Sequence, residues 1–321
     1  MSIHVDDRFL DSAVSADELA ADARAGLSGH PKTLPPRWFY DSRGSQLFEQ
    51  ITELPEYYPT RTEREILHAH ADDIAAAAPV QTVVELGSGS SSKTRLLLDA
   101  WRRGGTLRRI VTVDVSISAL TEAGQSLQQR YPGVELRPVR ADFTRHLDEL
   151  DTVGPTAIVF LGSTIGNLDP DQRRQFFDSV RRALADGDVL LLGTDLVKSP
   201  EVLIPAYNDA AGVTAEFNLN VLRVLNRELD GDLPIEAFRH RAIWNAEAER
   251  IEMRLVAQHP VRARLAGIGL AVRFEAGEDL LTEISSKFRR AGISAELARS
   301  GLRVEHWWSD AQDYFAVSMS R

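Results

Sequence analysis

The stretch Thr82-Val-Val-Glu-Leu-Gly-Ser-Gly-Ser-Ser-Ser-Lys-Thr94 decides how the rest of this chain is read. An apolar run of strand length passes into a turn where Gly87 and Gly89 leave no Cβ to hold a ligand off the backbone. A helical pattern then begins at Lys93. A dinucleotide fingerprint asks for Gly-x-Gly-x-x-Gly, but Ser92 stands at the third position and the acid for a ribose comes later than usual. A phosphate-binding loop asks for Gly-x-x-x-x-Gly-Lys-Ser/Thr, which Gly87 to Thr94 matches except at Ser92. No acid closes Ala157-Ile-Val-Phe-Leu161, where such a loop needs a carboxylate for Mg²⁺.

Binding of S-adenosylmethionine for methyl transfer uses every part of the pattern. Glu85 ends the first strand, the glycine turn follows, and Asp114 closes the next apolar run, Ile110-Val-Thr-Val-Asp114. A carboxylate there accepts both hydroxyls of a ribose, which adenosine requires and apolar packing does not. Ala141-Asp-Phe143 then offers Asp142 for an adenine amino group, with the ring of Phe143 beside it. Taken singly, Asp114 and Asp142 are ordinary strand-ending acids and Lys93 an ordinary helix-start lysine. Their order behind the glycine turn is what points to adenosine.

Outward from this motif, short apolar runs alternate with helical patterns at the spacing of parallel βα units. The expected strands are Thr82 to Leu86, Arg109 to Val115, Val134 to Val139, Ala157 to Leu161 and Asp188 to Thr194. Helices Lys93 to Trp101, Ile117 to Tyr131 and Pro170 to Leu184 fit between them. After Asp195 the rhythm stops. Pro200 to Arg227 reads as helical, and Arg250 to Ala257 alternates so that Ile251, Met253 and Leu255 share a face. Lys287 to Ser300 reads as a helix capped by Gly301, followed by a hairpin of Leu302 to Trp308 and Tyr314 to Met319. That ending closes the sheet of many class I methyltransferases. The expected fold is therefore α/β, a class I Rossmann-like methyltransferase sheet with an inserted α+β second domain.

The expected boundaries are 61–196 with 287–321 for the cofactor-binding domain and 197–286 for the inserted substrate-binding domain. Residues 1–60 form an N-terminal helical segment covering the active site. In it, Ser15 to Leu27 and Ser42 to Thr52 read as helices, Leu34 to Tyr40 as irregular, and Leu54 to Thr60 as a loop before a helix from Thr62 to Ala78.

Composition bounds the partners. With 43% hydrophobic and 26% charged residues over 321 positions, the chain has the balance of a globular protein. A net charge of -10 and a pI near 5.4 work against binding to phosphate backbones, so no nucleic-acid partner is expected. The absence of cysteine removes disulfides, thiolate zinc sites and a cysteine nucleophile. Neither a leader-like start at Met1 to Asp7 nor an apolar run of the ~18 residues a membrane span needs is present, so a soluble, cytoplasmic protein without membrane contact is expected. A monomer is the default expectation, independent of these features. The 8 histidines show no metal pattern, because His68 and His70 stand two apart on a helix and point in different directions; no metal is expected.

Several longer blocks carry a resemblance. Leu34-Pro-Pro-Arg-Trp-Phe-Tyr-Asp41, Leu54-Pro-Glu-Tyr-Tyr-Pro-Thr-Arg-Thr-Glu63 and Phe160-Leu-Gly-Ser-Thr-Ile-Gly-Asn-Leu168 occur in order. Leu192 to Lys198, Tyr207 to Asn218, Leu281-Thr-Glu-Ile-Ser-Ser-Lys-Phe288 and His306-Trp-Trp308 continue the series. Together they resemble the histidine Nα-methyltransferases of ergothioneine biosynthesis over almost the whole chain. The resemblance implies trimethylation of the α-amino nitrogen of free L-histidine, through its mono- and dimethylated forms, to hercynine, with histidine held between two domains. S-adenosylmethionine is the methyl source and S-adenosylhomocysteine the product.

The same resemblance implies that Tyr40, Gly87, Lys93, Asp114, Asp142 and Phe143 hold the cofactor. Asn167 and Tyr207 take the substrate carboxylate and amino group, and with Tyr40 stand at the reacting centre. Tyr57, Glu283 and Ser285 hold the imidazole, while Phe48, Gly162, Thr164 and Met253 line the pocket. Chemistry gives some of these an independent reason. Glu283 and Ser285 are two apart, so in an extended segment they share a face and meet both imidazole nitrogens. Tyr40 and Phe48 suit a growing ammonium, which an aromatic face attracts by roughly 0.5 to 2 kcal/mol. Asn167 stands in a loop bracketed by Gly162 and Gly166 after the fourth strand, where ligands of such sheets bind or where an Asn forms a turn. Three alternatives stay open: another aromatic amino acid such as tryptophan as substrate, a non-catalytic S-adenosylmethionine-binding module, and a nucleotide-dependent enzyme using the near-phosphate loop.

Overall fold

Every residue of the strand Thr82–Leu86 is buried, as are those of Thr156–Phe160 and Val189–Asp195. Strands covered on both faces are mainly apolar, and a parallel sheet between helices is the arrangement that provides the cover. The computed structural model describes the chain apart from residues 1–3, 8, 10, 11, 90, 148, 149 and 151, so position 90 of the glycine turn and the start of the chain lie outside it. The 7-stranded sheet runs Val304–Ser309, Phe315–Ser320, Val189–Asp195, Thr156–Phe160, Thr82–Leu86, Arg109–Asp114, Glu135–Arg140. Phe315–Ser320 alone is antiparallel to its neighbours, pairing Phe315 with Asp195 and Ser320 with Leu190. This is the class I methyltransferase sheet that the terminal hairpin predicts.

Alternation along the central strands feeds two cores. Val83, Ile110, Ala157, Val159 and Leu191 pack with Leu97, Trp101 and Ile74 on one face. Val84, Val111, Ile158, Phe160 and Leu190 pack with Phe176, Phe177 and Ile293 on the other. Because successive strand side chains point to opposite faces, one apolar run serves both layers. The strand order reverses beside Thr82–Leu86, with Arg109–Asp114 on one side and Thr156–Phe160 on the other. The carboxyl ends at that switch point carry the glycine turn and the loop at Gly162, the place where ligands of open α/β sheets sit.

The chain forms two compact units. The sheet unit comprises 1–10, 59–197 and 287–321, and the second unit comprises 11–58 and 198–286. In the second unit a 4-stranded sheet orders Lys32–Thr33, Asp279–Ser286, Arg250–Ala257 and Phe238–Asn245, and Val261–Leu265 pairs with Leu270–Phe274 separately. Helix Val213–Glu228 buries Phe217, Val221, Leu222 and Leu225.

Three elements differ from expectation, each for a local reason. The third helix starts at Tyr58 rather than at residue 62, because Pro59 falls in the first turn, where a missing N–H costs nothing. The helical region after Pro200 is two helices, Pro200–Ala206 and Val213–Glu228. Between them the Asp209 carboxylate caps the second helix through Val213 N at 2.9 Å and Thr214 N at 2.8 Å, and Gly212 turns the chain at φ +77°. The last helix is Arg290–Arg299, because the chain before it is extended: Phe288 N donates to Asp195 O and Val197 N to Phe288 O. There Lys287 and Asp195 form a fully buried ion pair at 2.9 Å.

Candidate active site

In the sheet unit the glycine turn has the geometry its residues predict. Gly87 and Gly89 have φ of +64° and +46°, and a Cβ on either would meet nothing within 4 Å. The left-handed backbone is what needs glycine there, and the space it faces is open. Gly87 N and Ser88 N both donate to Val113 O, which ties the turn to the neighbouring strand. Asp114 accepts Gly89 N–H on one carboxylate oxygen at 3.0 Å and Ser116 N–H on the other at 2.9 Å. Each oxygen retains a lone pair for another donor, as a ribose diol requires. Burial pushes the Asp114 carboxyl above the ordinary aspartate range, against the N–H groups of Ser116 and Gly89.

Glu85 braces the turn from beneath. It is buried, accepts Ser91 Oγ at 2.7 Å and is also bonded by Thr94. Burial pushes its pKa up to about 7, although both hydroxyls and the charge of Lys93 pull the other way. Asp142 folds back on its own loop, its Oδ1 taking the Thr144 N–H at 2.9 Å and hydroxyl at 2.6 Å. The Phe143 ring packs on Phe160 and Phe176, with centroids at 4.9 Å and 6.0 Å, and so continues one core.

Lys93 is not a solvated helix-start residue: its ammonium is bonded to Glu63, whose side chain is fully buried. Gly162 N donates to the two Glu63 oxygens at 2.8 and 3.0 Å. The chain then takes left-handed φ at Gly162 (+78°) and Ser163 (+56°) before the 3₁₀ turn Thr164–Asn167. Thr164 Oγ1 donates to Leu161 O, and Ser163 Oγ accepts Asp195 N–H at 2.9 Å, so the start of the loop that bears Asn167 is fixed.

The second unit gathers the remaining residues. Tyr40 ends the 3₁₀ turn Pro36–Phe39, and Asp41 caps helix Ser42–Thr52 through Gly44 N at 2.7 Å. Asn220 and Arg227 hold the same Asp41 carboxylate at 2.8 and 3.0 Å, which anchors this corner to helix Val213–Glu228. From there the rings run in sequence: Tyr40 to Phe48 at 5.7 Å, Phe48 to Tyr57 at 6.3 Å and Tyr57 to Tyr207 at 6.3 Å. All three are edge-on, the arrangement that aromatic quadrupoles favour. Tyr207 OH and Ser285 Oγ are 2.9 Å apart and both residues are buried.

Glu283 lies on the same strand, opposite Met253, next to an irregularity in register between Leu281 and Glu283. Thr282, at that irregularity, hydrogen-bonds Asn218 Oδ1 at 2.7 Å and lies 3.0 Å from Met253 O. Asn218 Nδ2 donates to His240 Nδ1 at 2.8 Å, which leaves the proton on Nε2, donated to Tyr207 O at 2.8 Å. Burial lowers the His240 pKa, in keeping with a neutral ring in this network.

The structure thus brings together Tyr40, Phe48, Tyr57, Tyr207, Met253, Glu283 and Ser285 in one unit, and Gly87, Lys93, Asp114, Asp142, Phe143, Gly162, Thr164 and Asn167 in the other. Tyr40, grouped by resemblance with the cofactor residues, belongs to the second unit. Glu63, Asn218, His240 and Thr282 were missed. Glu63 closes one quoted sequence block, Asn218 closes another and Thr282 lies within a third, whereas His240 stands outside all of them and carries no local signal. Among the described residues no set of three or more His, Cys, Asp or Glu side chains could hold a metal, and no helix is long and apolar enough to cross a membrane.

A doubly wound sheet with the antiparallel strand inserted near one end, a glycine turn, and a strand-ending acid that keeps its lone pairs define an S-adenosylmethionine-dependent methyltransferase. A family model described as histidine-specific methyltransferase, SAM-dependent, matches residues 19–321. The chain belongs to that family. It is 52% identical over 312 residues to a histidine N-alpha-methyltransferase of Mycolicibacterium smegmatis, covering 97% of each chain. Identity to the protein of that name in Mycobacterium tuberculosis is 51% over 302 residues, 94% of each chain. An ergothioneine biosynthesis protein 1 of Neurospora crassa is 35% identical over 201 residues, 61% of this chain and 23% of that one.

Proposed function

We propose that this enzyme transfers three methyl groups from S-adenosylmethionine to the α-amino nitrogen of free L-histidine, giving hercynine for ergothioneine biosynthesis. The observation that carries the choice of amino acid is the buried Tyr207 to Ser285 hydrogen bond with Glu283 on the same strand, at the end of an aromatic series. A carboxylate and a hydroxyl suit the two nitrogens of an imidazole, and a wrong side chain would leave them unpaired. The names of the mycobacterial and fungal relatives point the same way.

In this reading Gly87, Lys93, Asp114, Asp142 and Phe143, with Tyr40, hold the cofactor. Tyr57, Glu283 and Ser285 hold the imidazole, Asn167 and Tyr207 the carboxylate and amino group, and Phe48, Gly162, Thr164 and Met253 line the pocket. The bound cofactor supplies a methyl group on a positively charged sulfur, open to in-line attack by a neutral amine. Orientation of reactants contributes roughly 7 to 11 kcal/mol in such reactions. The amine attacks in its neutral form, so the reactive fraction of the substrate grows as the pH rises toward the α-amino pKa. Tyr40 and Phe48 present aromatic faces that favour the cationic di- and trimethylated nitrogen. The same reading has a monomer acting in the cytoplasm on small molecules, without nucleic-acid or membrane partners, in keeping with the net charge of -10.

Mass spectrometry of histidine incubated with the enzyme and S-adenosylmethionine tests this: a gain of three methyl groups is expected. Methylation of tryptophan in preference to histidine would overturn the substrate assignment. Asn167→Ala is expected to cut activity far more than thermal stability; equal losses would make Asn167 a turn former only.

A further inference from the structure

Glu63 is a fully buried carboxylate to which neither the sequence blocks nor the proposed chemistry gives a task. Its partners are Lys93, at the start of the helix after the glycine turn, and Gly162 N, at the start of the turn that carries Asn167. A buried carboxylate is costly unless paired and hydrogen-bonded, so this one is fixed in place by what it holds. The surroundings are shaped to admit it. A Cβ at Gly193 would stand 2.1 Å from Glu63 Oε1, so this position must be glycine for the carboxylate to fit. A Cβ at Gly162 would approach Lys93 Nζ to 3.4 Å, where the N–H and the ammonium converge on the same group.

We propose that Glu63 is a positioning residue that links the cofactor side of the site to the amino-acid side. It directs the Lys93 ammonium, whose one hydrogen bond among the described residues is to Glu63, so that its other protons can meet another acceptor, and it sets the turn of residues 162–167 through the Gly162 N–H. Neither action requires contact with a reactant. The proposal rests on the reading above, in which Lys93 meets the cofactor and Asn167 the amino acid.

The test is a double-mutant cycle on the full chain, with S-adenosylhomocysteine affinity measured by calorimetry and histidine kinetics alongside. Lys93→Met should weaken S-adenosylhomocysteine about tenfold in the native background but less than about threefold in Glu63→Gln, because the lysine is no longer directed; close neighbours typically couple in this way. Equal factors in both backgrounds would overturn the link. Glu63→Gln should also lower kcat/KM for histidine about tenfold or more, as misplacement of reactants does. A fall in Tm with kcat/KM unchanged per folded molecule would make Glu63 merely structural and sink the proposal. Should Glu63→Gln not fold, Gly193→Ala displaces the same carboxylate without removing its charge. It should reproduce the kinetic loss, and normal kinetics in Gly193→Ala would refute the proposal. If the native enzyme does not methylate histidine, the proposed function fails, while the S-adenosylhomocysteine cycle still decides the role of Glu63.

Discussion

The sheet edge at Gly87 and Asp114 and the cluster at Tyr207 and Ser285 are built in opposite ways. The first is made of backbone over a few tens of residues: a strand, a left-handed turn, and a neighbouring strand whose terminal acid receives a turn N–H. The second is made of side chains from segments as far apart as Tyr207, Asn218, His240 and Ser285, joined by buried hydrogen bonds, with Tyr57 meeting it through a ring contact. Local backbone suffices to cradle a ligand shared by many enzymes. Recognition of one side chain takes polar groups converging from several elements, each buried and each satisfied.

That contrast breaks if the two regions fail separately in ways other than these. The largest effect is expected from Glu283→Ala, which should raise the KM for histidine by roughly a hundredfold, in line with the penalty for unmatched polar groups, and leave S-adenosylhomocysteine affinity unchanged. Unaltered histidine kinetics would remove Glu283 from the imidazole site. Asp114→Ala should do the reverse. Loss of hydrogen bonds to a charged group costs about 1.5 to 3 kcal/mol, so calorimetry should show S-adenosylhomocysteine binding weakened roughly ten- to hundredfold.

Asn218→Ala sharpens the contrast further, since Asn218 touches no proposed ligand group but bridges His240 and Thr282. We expect the KM for histidine to rise about fivefold as about 1 kcal/mol of hydrogen bonding is lost, with cofactor affinity kept. A change confined to Tm would reduce the network to scaffolding.

The smallest effect concerns Glu85. An acid with a raised folded-state pKa contributes stability that is fully present below its unfolded value, 4.5, and lost as the pH rises through about 7. Thermal melts of native enzyme and Glu85→Gln at about pH 5 and pH 8 should therefore show the difference in Tm moving in favour of the variant at the higher pH. A constant difference would mean that Glu85 stays ionised across this range.

The sequence alone determined the order of strands and helices in the sheet unit, the glycine turn and the acids behind it, because each depends on a period or a dihedral preference carried by neighbouring residues. It also showed that Glu283 and Ser285 would share a face if their segment were extended, which the strand Asp279–Ser286 makes it. What it left open belongs to contacts distant along the chain: the break that presents Tyr207, the irregular register at Thr282, the His240 and Asn218 bonds, and Glu63 beneath Lys93 and Gly162. A buried polar group has no signature in its own neighbourhood, since its partner is chosen by how the elements pack. Tertiary structure decided those residues for that reason.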